Sequence, residues 1–530
     1  MRNFAVFKHN HPQKSIYIQG KKTKRGVIMK ANYQSVNLYG EICEAVGQSI
    51  VECRLPATEI VKVLLCEPQV SLTEAVCDNG EVRYGGKLLV SFLYEDVAGK
   101  LCRAERGAEF FHKAEHPHVA PAYSALGALN LQTVKLRREG GQMVASCVVE
   151  GKFSVMGQRR HTYLLGGEDL FVERTATAFC SQFHASVIIE EDDEFECEFA
   201  QDILLHSESV LITDVRASVG EVEARAELCL QFCMLRSDGS LCSYERLTPI
   251  KAQIALDNAM TGVPVKASAR ILSAHVSAAT DEERGKSKIV VSYRVEVVAT
   301  VYERTEYEVA TDAYSTSLEV LPKMEEVHTM YAMNMRIQTE RVHGTIVLGD
   351  GTGVQSEDKT LLAAVFPKAT AVIEKTPSGA EIQGVIEAKA LYRLQSGGIE
   401  TVDVALPFLF PADLGAGECE ASELVCVVYG FGLRVRSGGE TEAEATLKIC
   451  ITPYAKEKCK YISEAMEGEK KTEKTCAVSI YVPTAGDSLW TTAKRLSLAP
   501  EEVTAANPGL TFPLLGEERI LVYRQKREKL

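Results

Sequence analysis

Three stretches of this chain alternate apolar and polar residues with a period of two. They read EVRYGGKLLVSFLY from Glu81, EVEARAELCLQFCML from Glu221 and EIQGVIEAKALYRL from Glu381. One face of the first carries Val82, Tyr84, Gly86, Leu88, Val90 and Phe92. The same face carries Val222, Ala224, Ala226, Leu228, Leu230 and Phe232 in the second copy, and Ile382, Gly384, Ile386, Ala388, Ala390 and Tyr392 in the third. Period two is the mark of a β-strand with one buried face. On the opposite face of the second copy, Glu223, Arg225 and Glu227 belong in water. Gly99, Gly239 and Gly398 follow the three starts at 18, 18 and 17 positions, where a tight turn needs a residue free to take positive φ. A later alternating strand recurs at 62, 68 and 62 positions: Met143, Ala145, Cys147 and Val149; Ile289, Val291, Tyr293 and Val295; Ala443, Ala445, Leu447 and Ile449. The pattern predicts a mainly β chain with three homologous, sandwich-like domains near 32–172, 173–322 and 323–456.

The texture changes after these repeats. AKEKCKYISEAMEGEKKTEK, from Ala455 to Lys474, mixes charge with little apolar content. It is read as a solvated linker over 457–475, part-helical through pairs such as Glu467 with Lys471, tethering a module free to search space near its neighbours. The tail is different again. Val478 to Val482 reads as a short strand, and Asp487 as a helix N-cap. Leu489, Ala493 and Leu496 fall on one helical face; Pro500 with Glu501 and Glu502 suits a second helix start; Asn507-Pro508 stops it; Ile520 to Tyr523 closes as a strand. The order is β-α-α-β. So small a unit has a thin core, which places Trp490, the only tryptophan, in or beside it.

Composition narrows the function classes. The 530 residues carry a net charge of −13, against the basic face a nucleic-acid binder needs. The longest clean apolar run, Leu361 to Phe366, is far short of the roughly 20 residues of a membrane-spanning helix. Residues 1–31 form a basic extension that lacks the apolar core and cleavage site of a secretory signal. It reads either as an arm for an anionic partner or as sequence upstream of a true start at Met29. The second is the expectation, since composition changes abruptly there; native protein whose mass begins before Met29 would refute it. Without export, the 16 cysteines are read as thiols in a reducing compartment, and none are spaced C-x-x-C.

The tail resembles a LysM domain over 476–524. Gly486, Asp487, Ser488, Leu489, Trp490, Ala493, Lys494, Arg495, Asn507 and Pro508 match its signature; Thr492 and Tyr523 depart from it. Three β-repeats followed by one C-terminal LysM are similar to the SPOCS-domain spore-coat morphogenetic proteins, the SipL-like family, over nearly the whole chain. The resemblance implies an endospore former, expression in the mother-cell cytoplasm and a place at the forespore surface. It implies that the LysM binds the ATPase forming the basement layer of the coat. In glycan-binding LysM domains the groove lies between two loops, here Gly486, Asp487, Ser488 and Leu489 facing Asn507, Pro508, Gly509 and Leu510. The same rim would serve a protein or N-acetylglucosamine oligomers, and Asp487 and Asn507 are equally read as simple caps.

No candidate for catalysis emerges. His112, His116 and His118 lack further ligands at metal spacing, and the acidic run Glu190 to Glu194 reads as a solvated edge. Gly349, Gly351 and Gly353 lack the strand-before, helix-after context of a phosphate loop. No catalytic residue, cofactor or metal is therefore assigned. Three diverged strand frames suit spacers and binding edges better than one preorganised constellation. The expectation is a non-enzymatic scaffold, with a wall protein anchored on peptidoglycan through LysM as the rival.

Overall fold

The structure is a computed structural model that describes residues 30–472 and 478–523, apart from 199, 237, 282–285, 347–358, 378, 396, 416–418 and 437–440. The glycine-rich stretch with Gly349, Gly351 and Gly353, and residues 1–29, lie outside the described residues. Among the described residues the chain is mainly β, with 80% strand and two short helices.

The first six strands are β1 (Ala31–Pro56), β2 (Ile60–Asp78), β3 (Glu81–Asp96), β4 (Leu101–Glu115), β5 (Ser124–Glu139) and β6 (Gln142–Gly167). They form two antiparallel sheets, β1-β6-β5 and β2-β3-β4. The next six are β7 (Phe171–Glu198), β8 (Ala200–Ser218), β9 (Glu221–Arg236), β10 (Leu241–Ala255), β11 (Val265–Asp281) and β12 (Lys286–Tyr314). They repeat the scheme as β7-β12-β11 and β8-β9-β10. The third set is β13 (Leu318–Ala332), β14 (Arg336–Ile346), β15 (Lys359–Thr376), β16 (Gly379–Leu394), β17 (Ile399–Pro411), β18 (Ala421–Val435) and β19 (Thr441–Lys470). Here β15-β16-β17 is one sheet, and β19 pairs with β13, β14 and β18. The strands β13 and β14 stand together where β1 and β7 stand, interrupted at residues 333–335.

The alternating faces become the cores. Val82, Leu88, Val90 and Phe92 of β3 are fully buried against Ala145, Cys147 and Val149 of β6. The second set buries Val222, Leu228, Leu230 and Phe232 against Ile289, Val291 and Val295, and the third buries Ile382, Ile386 and Ala390 against Leu447 and Ile449. At about 25 cal/mol per Å² of apolar surface, these faces are the main stabilising term. The turn glycine is displaced in the third copy. Gly99 and Gly239 take positive φ as expected, but there Gly397 does so rather than Gly398. The β16–β17 hairpin closes at Arg393 opposite Ile399, two positions sooner after Glu381 than its counterparts close after Glu81 and Glu221.

The ends of the long strands do something the pattern did not predict. Beyond the reach of β5, β11 and β18, the pairs β1 with β6, β7 with β12 and β13 with β19 continue as two-stranded ribbons. These three ribbons pack together around Leu38, Tyr163, Phe179, Val309, Cys459 and Tyr461. The Tyr461 hydroxyl donates to Glu325 Oε2 (3.1 Å) and its oxygen accepts from His161 Nδ1 (3.1 Å), so the buried phenol is satisfied across two ribbons.

This corrects the linker. Residues 457–470 are strand, not a solvated or part-helical tether. Their Lys458 and Lys460 are exposed while Cys459 and Tyr461, alternating with them, are buried. A period-two pattern lay beneath the charge, and charge content alone masked it. The third set accordingly runs from 318 to 470 rather than from 323 to 456.

The three sets also meet at their sandwich ends. Leu64, Leu65 and Leu93 pack with Leu204, Leu205, Cys233 and Leu241 and with Ala363, Val365, Phe366 and Leu391. Beside this apolar junction lies a polar one. Gln69 donates to Glu208 (2.5 Å), Ser207 to Glu67 (3.3 Å) and Lys368 to Glu67, which joins all three sets. His206 Nδ1 lies 2.6 Å from Glu208. Burial opposes a charged imidazole there, but the Glu208 carboxylate, helped by Glu105 against Arg103, raises the His206 pKa above its ordinary value. A raised folded pKa contributes stability that is complete below the unfolded value near 6.5 and is lost as pH rises through the folded one. His206→Gln is therefore expected to lower stability by about 1 to 3 kcal/mol at about pH 6, with a deficit that shrinks as pH rises through the raised folded value. Parallel melting curves across that range check it; an equal deficit at both ends would contradict the assignment.

The connections between sets converge at the ribbon tips. Asp169, at φ 53°, accepts from Ser315 Oγ (2.9 Å) and from the amides of Thr316 and Ser317 (both 3.2 Å). The Lys471 amide donates to Ser317 O (3.0 Å) and its ammonium to Ser315 O (2.8 Å).

Candidate partner-binding module

The tail folds as β20 (Val478–Tyr481), α1 (Leu489–Leu496), α2 (Pro500–Ala506) and β21 (Ile520–Tyr523), with the two strands antiparallel. Ala493, Leu496, Leu498, Val503, Leu514, Ile520 and Val522 form its core. Helix α1 is capped by Ser488, not by Asp487. The Ser488 hydroxyl accepts from the Thr491 amide (3.1 Å), and the Thr491 hydroxyl accepts from the Ser488 amide (2.8 Å), a reciprocal box with threonine in the usual place of glutamate. Asp487 instead pins the preceding loop. Its carboxylate accepts from the Thr484 amide and from Arg495, both at 2.8 Å, and these hold its pKa below the usual carboxylate range.

Asn507 is a clamp between α2 and β21. Its amide donates to Val503 O (2.9 Å) and Leu521 O (2.8 Å), and its Oδ1 accepts from the Leu521 amide (2.7 Å). The fold uses the eight expected groove residues in different ways. Asp487 and Asn507 have their polar atoms engaged within the fold, while Leu489 and Leu510 lie half-buried on the module's own core. Gly486, Pro508 and Gly509 stand at the surface, and Ser488 is half-buried. Gly486 (φ 91°) and Gly509 (φ 100°) face open space where a side chain would project. The first loop is closed by the Gly486 amide donating to Leu514 O (2.8 Å) and the Leu514 amide donating to Asp487 O (2.9 Å).

The module is not free of the rest of the chain. Tyr314, at the end of β12, enters its core; the Tyr314 hydroxyl donates to Leu498 O (2.7 Å). The Trp490 ring meets Tyr314 edge-on with centroids 4.9 Å apart, and Phe171 stacks on Tyr314 at 5.2 Å. Trp490 Nε1 donates to Asp312 Oδ2 (2.9 Å), and the Lys494 ammonium bonds both Asp312 oxygens at 2.6 Å. Lys471 donates to Ser497 Oγ (2.9 Å). Trp490 was expected in or beside the module's core; it lies at the seam between that core and β12. Nothing in the sequence marked Asp312 or Tyr314 as its partners.

The other candidates are structural. His112 sits edge-on to Tyr84 in β4, while His116 and His118 pair in the turn after it; among the described residues no three His, Cys, Asp or Glu side chains are grouped to hold a metal. The acidic run lies on the outer strand β7 and is solvated as expected, with Glu190, Glu191, Asp192 and Glu194 exposed and Asp193 half-buried. Asp193 takes Arg246 (3.0 Å) and Thr248 (2.5 Å), Glu191 takes Tyr293 (3.1 Å), and Glu194 pairs with Lys288. Glu227, expected in water, instead joins the second set to the third through Lys448 (2.8 Å) and Tyr429 (3.0 Å). Burial raises the thiol pKa of Cys66, Cys180, Cys229 and Cys426 to about 12, so these are inert packing groups at neutral pH. No known protein family, no curated protein and no solved structure matches this chain.

Proposed function

We propose that the chain is a non-enzymatic, SipL-like scaffold of the spore coat, built from three SPOCS-type domains and a LysM domain. In this reading it works in the mother-cell cytoplasm at the forespore surface, where the LysM domain docks the basement-layer ATPase. The observation that carries the reading is the β-α-α-β tail with its Gly486-Asp487-Ser488-Leu489-Trp490 run, set behind three strand repeats of one topology. A scaffold needs a rigid frame and a presented surface, and the three-ribbon bundle with a seated module supplies both.

The test is capture of the purified ATPase by the full chain and by a chain lacking 476–530. Capture is expected to disappear with the truncation while the β-rich circular dichroism remains; retained capture counts against the reading. The glycan alternative draws on the open rim at Gly486, Pro508 and Gly509. Micromolar binding of chitin or peptidoglycan oligomers in a calorimetric titration would favour it, whereas silence favours the protein partner. A fluorescent fusion labelling a shell around the forespore, rather than the vegetative wall, supports the scaffold.

A further inference from the structure

Helix α1 presents two surfaces. Ala493 and Leu496 face the module's own core, and Trp490 and Lys494 face the β12 end. The second surface is already occupied by Asp312 and Tyr314. Of the residues buried in the module's core cluster, Tyr314 alone comes from outside the tail; the others lie between 493 and 522. Release from β12 would therefore uncover the side of the core that Tyr314 covers and leave the seven residues between 493 and 522 packed on one another. The polar part of the seam is also modest, because the Asp312 and Lys494 side chains retain 29% and 43% of their exposure and stay partly hydrated.

We infer that Asp312 is an intramolecular latch, which withholds the Trp490–Lys494 face of α1 from outside proteins while leaving the Gly486 and Gly509 loops presented. One carboxylate carries this because it alone receives both the indole N–H and the ammonium. An outside protein that engages α1 must displace Asp312 and Tyr314, which are held beside it at high effective concentration. The two states differ by the contacts of one face, so a ligand for that face shifts the balance by its differential affinity alone. The inference rests on the reading that the module is the partner-binding element of the chain.

Trp490 is the only tryptophan, so its emission in the full chain reports this seam without a label. Asp312→Ala and Lys494→Ala, made separately, are each expected to shift Trp490 emission to the red and to raise the acrylamide quenching constant at least about twofold. Making both variants guards against a local fold change at either site, since each opens the seam from one side. Unchanged emission and quenching in both overturns the latch. In a second arm, Asp312→Ala is expected to capture the purified basement-layer ATPase more tightly than the natural chain; equal affinity overturns the withholding of α1. Capture by neither chain, with the red shift present, sinks the partner reading and leaves the latch standing.

Discussion

Leu93→Asp is expected to separate the three sets of strands at their sandwich ends while the first core stays folded. Leu93 is fully buried, yet it lies on the face of β3 opposite Phe92, outside its own sandwich core. Its neighbours come from β2, β8, β9, β15 and β16. A carboxylate there loses the transfer energy of a leucine and is stripped of water among leucines, while Arg103, its cross-strand neighbour on β4, is already engaged by Asp202 and the Ile203 carbonyl; the combined cost is on the order of 3 to 5 kcal/mol. That penalty is relieved by opening the junction to water, which the ribbon bundle at the other end permits. Small-angle scattering is expected to show a larger radius of gyration with little change in far-ultraviolet circular dichroism. An unchanged radius together with an unchanged melting temperature would show that the junction does not hold the sets together.

Asn507→Ala is expected to loosen the C-terminal module by about 2 to 3 kcal/mol. Three hydrogen bonds from one side chain join α2 to β21, and alanine leaves the Val503 and Leu521 carbonyls and the Leu521 amide without that partner. A module with so small a core has little stability in reserve, so local opening follows. Hydrogen exchange read by mass spectrometry is the direct measurement. Segments covering α2 and β21 are expected to lose protection while β3 and β9 keep theirs; equal protection throughout would mean the clamp is redundant.

The sandwich cores were open to reading because a strand with one wet face must alternate, and Val82 to Phe92, Val222 to Phe232 and Ile382 to Tyr392 do so. The order of elements in the tail was open too, since Pro500 and Asn507 punctuate it locally. What lay beyond reach was contact between repeats. Leu93, Cys233 and Leu391 lie on outward faces beside Ser91, Gln231 and Lys389, where alternation assigns them to solvent. Nothing local tells a strand whether its second face meets water or a neighbouring unit. Residues 457–470 show the opposite error, in which abundant lysine and glutamate concealed the alternation that buries Cys459 and Tyr461. In the tail, two adjacent capping residues competed: Ser488 made the cap and released Asp487 to bind Arg495. Trp490 was singled out, but its carboxylate partner lies 178 positions upstream and only the fold brings it near.

The ribbon bundle imposes an order on biosynthesis. Tyr461 and Cys459 belong to β19, the last long strand to leave the ribosome, and without them Leu38, Tyr163, Phe179 and Val309 have no third wall to close upon. The first ribbon must wait with an apolar face uncovered while some three hundred further residues are translated, and the second while about half as many are, a span of roughly 10 to 60 seconds at about 5–20 residues per second. Nascent chains are thus expected to expose apolar surface until Tyr461 has emerged, and a product ending before residue 461 is expected to aggregate more readily than the full chain.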